Sequence, residues 1–152
     1  MAQICKLESQ TEIKSSPDRL FDIYKNKINL MPKICPSKIQ SIQVLEGDGR
    51  SEGSVRLWTY ILGGTPVIAK DKIYAMDEEN KLITFDLIGG EITKYYNNFK
   101  ATLQATPNLA KWTLGYEKAN EDIPTPHSNI DFLKSITREV DDYLLKVQKH
   151  DI

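Results

Sequence analysis

A long amphipathic helix is predicted over residues 127–149, which read HSNIDFLKSITREVDDYLLKVQK. At about 100° per residue, the apolar side chains of this stretch fall within one arc roughly 160° wide, and charged or small polar side chains lie opposite. The arc consists of Ile130, Phe132, Leu133, Ile136, Val140, Tyr143, Leu144 and Val147. A helix on a flat surface needs a narrower apolar arc, so we expect a curved sheet to surround this helix.

The residues upstream of the helix alternate in the way that strands do. The predicted strands are residues 6–14, 39–46, 54–62, 66–76, 82–88, 95–106 and 111–118. The predicted breaks between the later strands are Gly47-Asp48-Gly49, Gly63-Gly64, Asp77-Glu78-Glu79-Asn80, Gly89-Gly90 and Pro107-Asn108. Short strands separated by turn-forming residues indicate an antiparallel sheet. Its last two strands have the clearest core faces, which are Phe99, Ala101, Leu103 and Ala105, then Trp112, Leu114 and Tyr116.

Two short helices are predicted between the first and second strands. Ser15-Ser16-Pro17-Asp18 is typical of a helix start, because serine caps, proline suits the first turn and an acid suits the helix dipole. A second short helix is predicted at residues 29–34, ending before Pro36. The order is strand, two short helices, six strands and a long helix. That order predicts an α+β fold.

Length and composition indicate one globular domain over residues 1–152. Hydrophobic residues make up 40% and charged residues 27%, with a net charge of -1, so we expect no nucleic-acid partner. No apolar run approaches the ~20 residues of a membrane span. The N-terminal residues lack the apolar core of a signal peptide, which predicts a cytoplasmic location. Cys5 and Cys35 lack the number and spacing of a disulfide scaffold or metal site.

Several short motifs resemble those of one plant family. They are Leu45-Glu46-Gly47-Asp48, Gly53-Ser54-Val55, Trp58 with Tyr60, Ala69-Lys70-Asp71, Tyr116-Glu117-Lys118-Ala119-Asn120-Glu121, Pro124-Thr125-Pro126 and Asp131-Phe132. In order and spacing they resemble the major latex-like proteins of the Bet v 1, or pathogenesis-related class 10, superfamily, which is START-like. The resemblance covers essentially the whole chain.

The resemblance implies a helix-grip fold, in which a seven-stranded antiparallel sheet wraps around a long C-terminal helix and two short helices support it. It also implies a large internal cavity that binds hydrophobic or amphipathic small molecules. The expected function is therefore a binding or carrier protein for such plant molecules, linked by resemblance to defence or stress. We expect no cofactor or metal, and a monomer or weak dimer. Some relatives are enzymes, so a small-molecule isomerase or condensing enzyme is the alternative.

The predicted strand at residues 54–62 is ambiguous by itself, because both of its faces carry large side chains. Val55, Leu57 and Ile61 share one face, and Arg56, Trp58 and Tyr60 share the other. The resemblance favours the second set as cavity lining. Arg56 would then neutralise Asp71 or hold an anionic ligand group; the alternative is a solvated Arg56 outside.

Asp71 has inward parity with Ala69, Ile73 and Ala75. It is either a functional carboxylate or a structural one, which is satisfied by a cross-strand partner or lies at the mouth of the sheet. Other side chains predicted to face inward are Phe85, Phe99, Trp112, Tyr116, Leu133, Ile136 and Val140. On the pattern alone these form an ordinary core, whereas the resemblance makes them cavity lining. Together with Arg56, Trp58, Tyr60 and Asp71 they are the predicted ligand site.

A catalytic site is the less favoured prediction. Tyr116 and Lys118 share parity, and with Asp71 they would supply a phenol, an amine and a carboxylate for acid–base chemistry. His127 and His150 lack metal-ligand spacing and are predicted to be surface residues. The loop at residues 47–53, GDGRSEG, is superficially like a phosphate loop, but it leads into a strand and lacks the Gly-Lys-Ser/Thr ending. A tight β-turn is the expected structure there.

Overall fold

The computed structural model describes residues 4–150, and the side chains of residues 4–147. These residues form one antiparallel sheet of seven strands in the order β1-β7-β6-β5-β4-β3-β2. The strands are β1 (Ile4–Glu12), β2 (Ile39–Glu46), β3 (Val55–Leu62), β4 (Thr65–Asp77), β5 (Leu82–Gly90), β6 (Tyr96–Thr106) and β7 (Leu109–Lys118).

Within residues 4–150, three α-helices accompany the sheet: α1 (Pro17–Asn26), α2 (Met31–Ile34) and α3 (His127–His150). The predicted start of α1 is confirmed, because the Ser16 hydroxyl accepts a bond from the Arg19 N–H and Pro17 occupies the first turn. Short 3-10 helices lie at Ile28–Leu30 and Glu91–Lys94. No helix within the described range is long and apolar enough to cross a membrane.

The sheet curves around α3. This helix contacts β1 at one edge of the sheet and β3 near the other, and it also packs against β7, α1 and α2. Ile130, Ile136, Val140 and Leu144 of its predicted apolar arc are buried. The predicted seven-stranded sheet around a long C-terminal helix, with two short helices, is confirmed.

Two polar side chains on α3 fix the helix to its surroundings, and neither was predicted. The Asp141 carboxylate accepts bonds from the Lys14 and Ser15 N–H groups and, at 2.5 Å, from the Ser15 hydroxyl. These donors lie between β1 and α1, so Asp141 joins the long helix to the first turn of the chain. Thr137 is fully buried and bonds to the aromatic residues described below.

The structure corrects the predicted end of β5. Gly89 and Gly90 were predicted to form a turn, but both belong to the strand, and Gly90 pairs with Ala69. Gly90 has φ 98°, and a Cβ atom there would lie 2.2 Å from the Ile68 carbonyl oxygen. Only glycine permits this close approach of β5 to β4. The connection to β6 is a 3-10 helix.

A second correction concerns β4. Ile73 on β4 pairs with Phe85 on β5, and the next pair along the two strands is Ala75 with Thr84. Tyr74 therefore has no partner on β5 and forms a β-bulge. The bulge shifts the alternation by one. Ala75 is therefore only half-buried, and Met76 packs against the core instead. The predicted inward parity of Asp71 and Ile73, which precede the bulge, is confirmed.

Candidate functional site

Among the described residues, two neighbouring cavities lie beside α3. The first, called the inner cavity here, has a volume of about 100 Å³ and lies between the sheet and the helix. Its walls are mostly aromatic and aliphatic, and Asp71 and Asn129 bring polar groups. The lining residues are Tyr24, Trp58, Tyr60, Ala69, Asp71, Phe85, Leu87, Ile92, Phe99, Ala101, Trp112, Asn129, Phe132, Leu133 and Ile136.

A buried ion pair adjoins the inner cavity. Arg56 on β3 and Asp71 on β4 are directly opposite in the sheet register, with 0% and 4% of their surfaces exposed. Arg56 donates from Nε to Oδ1 over 3.0 Å and from Nη2 to Oδ2 over 2.8 Å. Trp58 donates from Nε1 to Oδ2 over 3.1 Å. Three N–H donors therefore fix the Asp71 carboxylate. These are the contacts expected of a structural aspartate that is satisfied by a cross-strand partner.

The Arg56 guanidinium lies between two aromatic rings. Its Cζ atom is 5.3 Å from the ring centroids of both Trp58 and Phe85, where cation–π attraction contributes. Its Nη1 atom is buried and has no hydrogen-bond partner in the described part of the chain. Arg56 does not line the inner cavity, but the three residues that hold it do. The interpretation of Arg56 as a solvated outer charge is wrong.

A hydroxyl network fixes another wall of the inner cavity. Thr137 Oγ1 donates to the Leu133 carbonyl over 2.8 Å and accepts from Trp112 Nε1 over 2.8 Å. It also lies 2.7 Å from the Tyr24 hydroxyl. Because the single Thr137 proton goes to Leu133, Tyr24 donates in this contact and its own oxygen is left as an acceptor. Burial raises the pKa of Tyr24 well above its usual value.

Most of the predicted ligand residues line the inner cavity. They are Trp58, Tyr60, Asp71, Phe85, Phe99, Trp112, Leu133 and Ile136. Val140 is fully buried, but it and Tyr116 are not part of this lining. Parity correctly predicted which side chains face inward, but it did not separate those beside open space from those packed in the core.

The three catalytic candidates do not meet at one cavity. Asp71 lines the inner cavity, whereas Tyr116 and Lys118 line neither cavity. Tyr116 packs with Tyr96 and Phe99, at ring-centroid distances of 5.3 and 5.9 Å. Burial raises the pKa of the Tyr116 phenol, which opposes its ionisation.

Seven lining residues lie outside the predicted ligand site: Tyr24, Ala69, Leu87, Ile92, Ala101, Asn129 and Phe132. Ala69 and Ala101 were predicted to face inward, but they were not part of that site. Leu87 shares the parity of Phe85, and Phe132 is in the predicted helical arc, so both had a usable signal. Tyr24 is on the apolar face of α1. The sequence gives no signal for Ile92 or Asn129 as lining residues. Ile92 lies in a 3-10 helix that was not predicted, and Asn129 is a polar residue in the first turn of α3.

The second cavity, called the outer cavity here, has a volume of about 310 Å³. It lies between the β3–β4 hairpin, the Glu91–Lys94 helix and the segment leading into α3. Its lining residues are Tyr60, Leu62, Val67, Glu91, Ile92, Tyr95, Tyr96, Ile123, Pro124, Thr125, Pro126, Ser128 and Asn129. Tyr60, Ile92 and Asn129 line both cavities. This cavity was not predicted from the sequence.

The loop at residues 47–53 has the contacts of a self-contained turn. The Asp48 carboxylate accepts from the Arg50 and Ser51 N–H groups and from the Ser51 and Ser54 hydroxyls. His127 is exposed, while the His150 side chain lies outside the described ones. Within the described residues, no group of three His, Cys, Asp or Glu side chains is placed to hold a metal ion.

The comparisons with known proteins agree with this architecture. Residues 2–147 match the pathogenesis-related protein Bet v 1 family. The chain therefore belongs to that family. MLP-like protein 423 of Arabidopsis thaliana is 40% identical over 145 residues, which are 92% of this chain and 94% of that protein. With such relatives, the chain falls within the major latex-like group of the family. Two other Arabidopsis relatives are longer, and the chain spans 46% and 44% of them.

Solved structures show the same fold. The crystal structure of ginseng major latex-like protein 151 from Panax ginseng has a TM-score of 0.89 and 35% sequence identity, and the match covers 92% of this chain and 97% of that one. A norcoclaurine synthase point mutant from Thalictrum, in complex with a transition-state analogue, has a TM-score of 0.82 and 19% identity, covering 97% and 98%. At that identity the second likeness concerns the fold alone.

Proposed function

We propose that the protein binds hydrophobic small molecules and acts as their carrier, with the inner cavity as the primary binding site. The observation that carries this proposal is an apolar space kept open inside the domain, lined by aromatic rings and next to a few fixed polar groups. Protein interiors are normally close-packed, so a preserved space of this kind needs a reason. Aromatic walls with few polar groups are typical of small-molecule sites.

The polar groups at the inner cavity suit orientation of a ligand better than chemistry. Asp71 already accepts three N–H bonds, and the buried Tyr24 oxygen is an acceptor whose proton is used elsewhere. The two cavities together fall within the ~300–1,000 Å³ typical of ligand pockets. A hydrophobic or amphipathic molecule is therefore the partner that we propose.

A fluorescence titration with N-phenyl-1-naphthylamine, an uncharged aromatic dye, tests the proposal. We expect saturable binding of one dye per chain. The Ala101→Leu variant adds three carbons to a residue that lines the inner cavity, and it is expected to weaken dye binding at least about tenfold, since the added side chain occupies the site.

The matched control is Gln104→Leu, which is on the same strand but has the opposite parity, on the outer face of the sheet. It should bind the dye as the wild-type protein does. Non-saturable binding, or equal dye affinity in Ala101→Leu and the wild type, would overturn the inner cavity as the site.

The alternative function is an isomerase or condensing enzyme that uses the same interior. It predicts product formation, and loss of rate in the Asp71→Asn, Tyr116→Phe and Lys118→Met variants. Substrate loss followed by mass spectrometry tests it. Turnover that survives all three changes would exclude these residues as the catalytic site.

Three further predictions stay predictions: a cytoplasmic location, a monomer or weak dimer, and a role in plant defence or stress. Sedimentation across a concentration series tests the second, and imaging of a tagged chain in plant cells tests the first. The third depends on the identity of the ligand.

A further inference from the structure

The size of the inner cavity limits what it holds alone. An engineered apolar cavity of about 150 Å³ in another protein binds benzene. The inner cavity, at about 100 Å³, is smaller than that. Any ligand larger than one small ring must therefore extend beyond it, and the outer cavity is the adjoining space because the two share three lining residues.

Tyr60 connects the two spaces. Its ring lies 5.0 Å from the Phe132 ring, which lines the inner cavity. Tyr60 also lines the outer cavity, together with Glu91. Ile92, from the 3-10 helix, and Asn129, from α3, are the other shared lining residues.

The outer cavity differs from the inner one in its chemistry. Its lining includes hydroxyl or amide groups from Tyr60, Thr125, Ser128 and Asn129. Among its described lining residues there is no Lys or Arg, and Glu91 is the acidic one. Lys94 pairs with Glu91 over 3.2 Å, but it is 67% exposed and is not part of the lining.

We propose that the outer cavity is a second subsite, which takes the uncharged polar end of an elongated amphipathic ligand, with Tyr60, Ile92 and Asn129 as a partition that the ligand must pass. The proposal rests on the proposed function and specifies its ligand class. Uncharged donors and acceptors satisfy a hydroxyl or carbonyl group. A carboxylate would lose hydration there without gaining a lining cation, and it would lie near Glu91.

The first experiment places the polar end of the ligand. Decanoate and 1-decanol are competed against N-phenyl-1-naphthylamine on the wild-type protein and on the Glu91→Lys variant. If the polar end lies in the outer cavity, Glu91→Lys should bind decanoate about fivefold more tightly, which is the size expected for a partly exposed ion pair, and 1-decanol within twofold of the wild type.

The control for net charge is Glu79→Lys, because Glu79 is exposed in the β4–β5 turn and lines neither cavity. It should leave both affinities unchanged. Unchanged decanoate affinity in Glu91→Lys, or an equal gain in Glu79→Lys, would overturn the outer subsite.

The second experiment tests the partition. If the passage past Tyr60 is open for ~10% of the time, Tyr60→Ala should raise the affinity for 1-dodecanol about tenfold, whereas 1-butanol should gain little. Tyr60→Phe keeps the ring that closes the passage and loses only the hydroxyl, so it should not show the tenfold gain. Leu62→Ala enlarges the outer cavity alone and should show no tenfold gain. If Tyr60→Ala fails to fold, Ile92→Ala truncates another of the residues that line both cavities and gives the same test.

The outcomes separate the two proposals. If the dye does not bind to the wild-type protein, the proposed function fails and this inference fails with it. If the dye binds, but no variant changes the dependence on chain length or end group as stated, only the second subsite and its partition are overturned.

Discussion

Removing the charge of Asp71 should destabilise the protein strongly, because its partner Arg56 is fully buried. The carboxylate accepts two Arg56 bonds of 3.0 and 2.8 Å. For charges about 4 Å apart at an effective dielectric constant of ~20, Coulomb attraction is about 4 kcal/mol. Removing one partner of a buried pair typically costs about 3–5 kcal/mol, since the other charge stays buried without compensation.

Urea unfolding followed by far-ultraviolet circular dichroism measures this cost. We expect Asp71→Asn to lower the free energy of unfolding by about 4 kcal/mol, a large part of the ~5–15 kcal/mol of a typical domain. The matched control is Asp86→Asn, the same change at a half-buried residue on β5 that lines neither cavity. It should cost less than about 1 kcal/mol.

A double variant separates the pair from its surroundings. Arg56→Met with Asp71→Leu replaces both charges by apolar groups, and such replacements are often neutral or stabilising. We therefore expect the double variant to be more stable than Asp71→Asn by several kcal/mol. A cost below about 1 kcal/mol for Asp71→Asn, or a double variant as unstable as the single one, would refute the argument from buried charge.

Three further changes test other parts of the fold. Asp141→Ala leaves the buried N–H and hydroxyl donors of Ser15 without an acceptor, so it should lower the free energy of unfolding by about 1–3 kcal/mol in a urea titration; wild-type stability would contradict the proposed link between α3 and the start of α1. Gly90→Ala places a side chain on a backbone with φ 98°, so it should lower the free energy of unfolding by at least about 1–3 kcal/mol, which is measured as a lower melting temperature. An equal loss of stability in Gly89→Ala would show that the cost comes from replacing any glycine in this strand, not from the positive φ at Gly90. Burial raises the pKa of Tyr24 above 10.0, so the folded state keeps this proton where the unfolded state releases it, and stability should fall as pH rises above about 10. Tyr24→Phe should reduce that slope by up to ~1.4 kcal/mol per pH unit above pH 10, and an unchanged slope would contradict the assignment.

The fold was predictable wherever one side-chain period dominates. The helical arc predicted α3, and the alternation around Phe99 and Trp112 gave the inward faces of β6 and β7, because sheet and helix bury one face each. The prediction was wrong at Gly89-Gly90 and beyond the bulge at Tyr74. A strand glycine looks like a turn glycine in sequence, and a bulge depends on the partner strand as much as on its own residues.

The sequence predicted which side chains face the interior, but it did not predict which of them line a cavity. The alternation of β3 placed Arg56, Trp58 and Tyr60 on the same face of the strand. It could not decide whether this face points inward, because both faces of β3 carry large side chains. The structure decides it through the cross-strand pairing with Asp71, which is a long-range property. Cavity volume depends on distances between elements, so the division of the space at Ile92 had no signal in the sequence.

Native mass spectrometry after incubation with a plant metabolite extract tests the central claim most directly. We expect one discrete adduct of an unchanged metabolite on the wild-type protein, and its loss in the Ala101→Leu variant that fills the inner cavity. Either equal adducts on both proteins or no adduct on the wild type would contradict a carrier that uses this cavity. A new product mass in the extract would instead favour the enzyme.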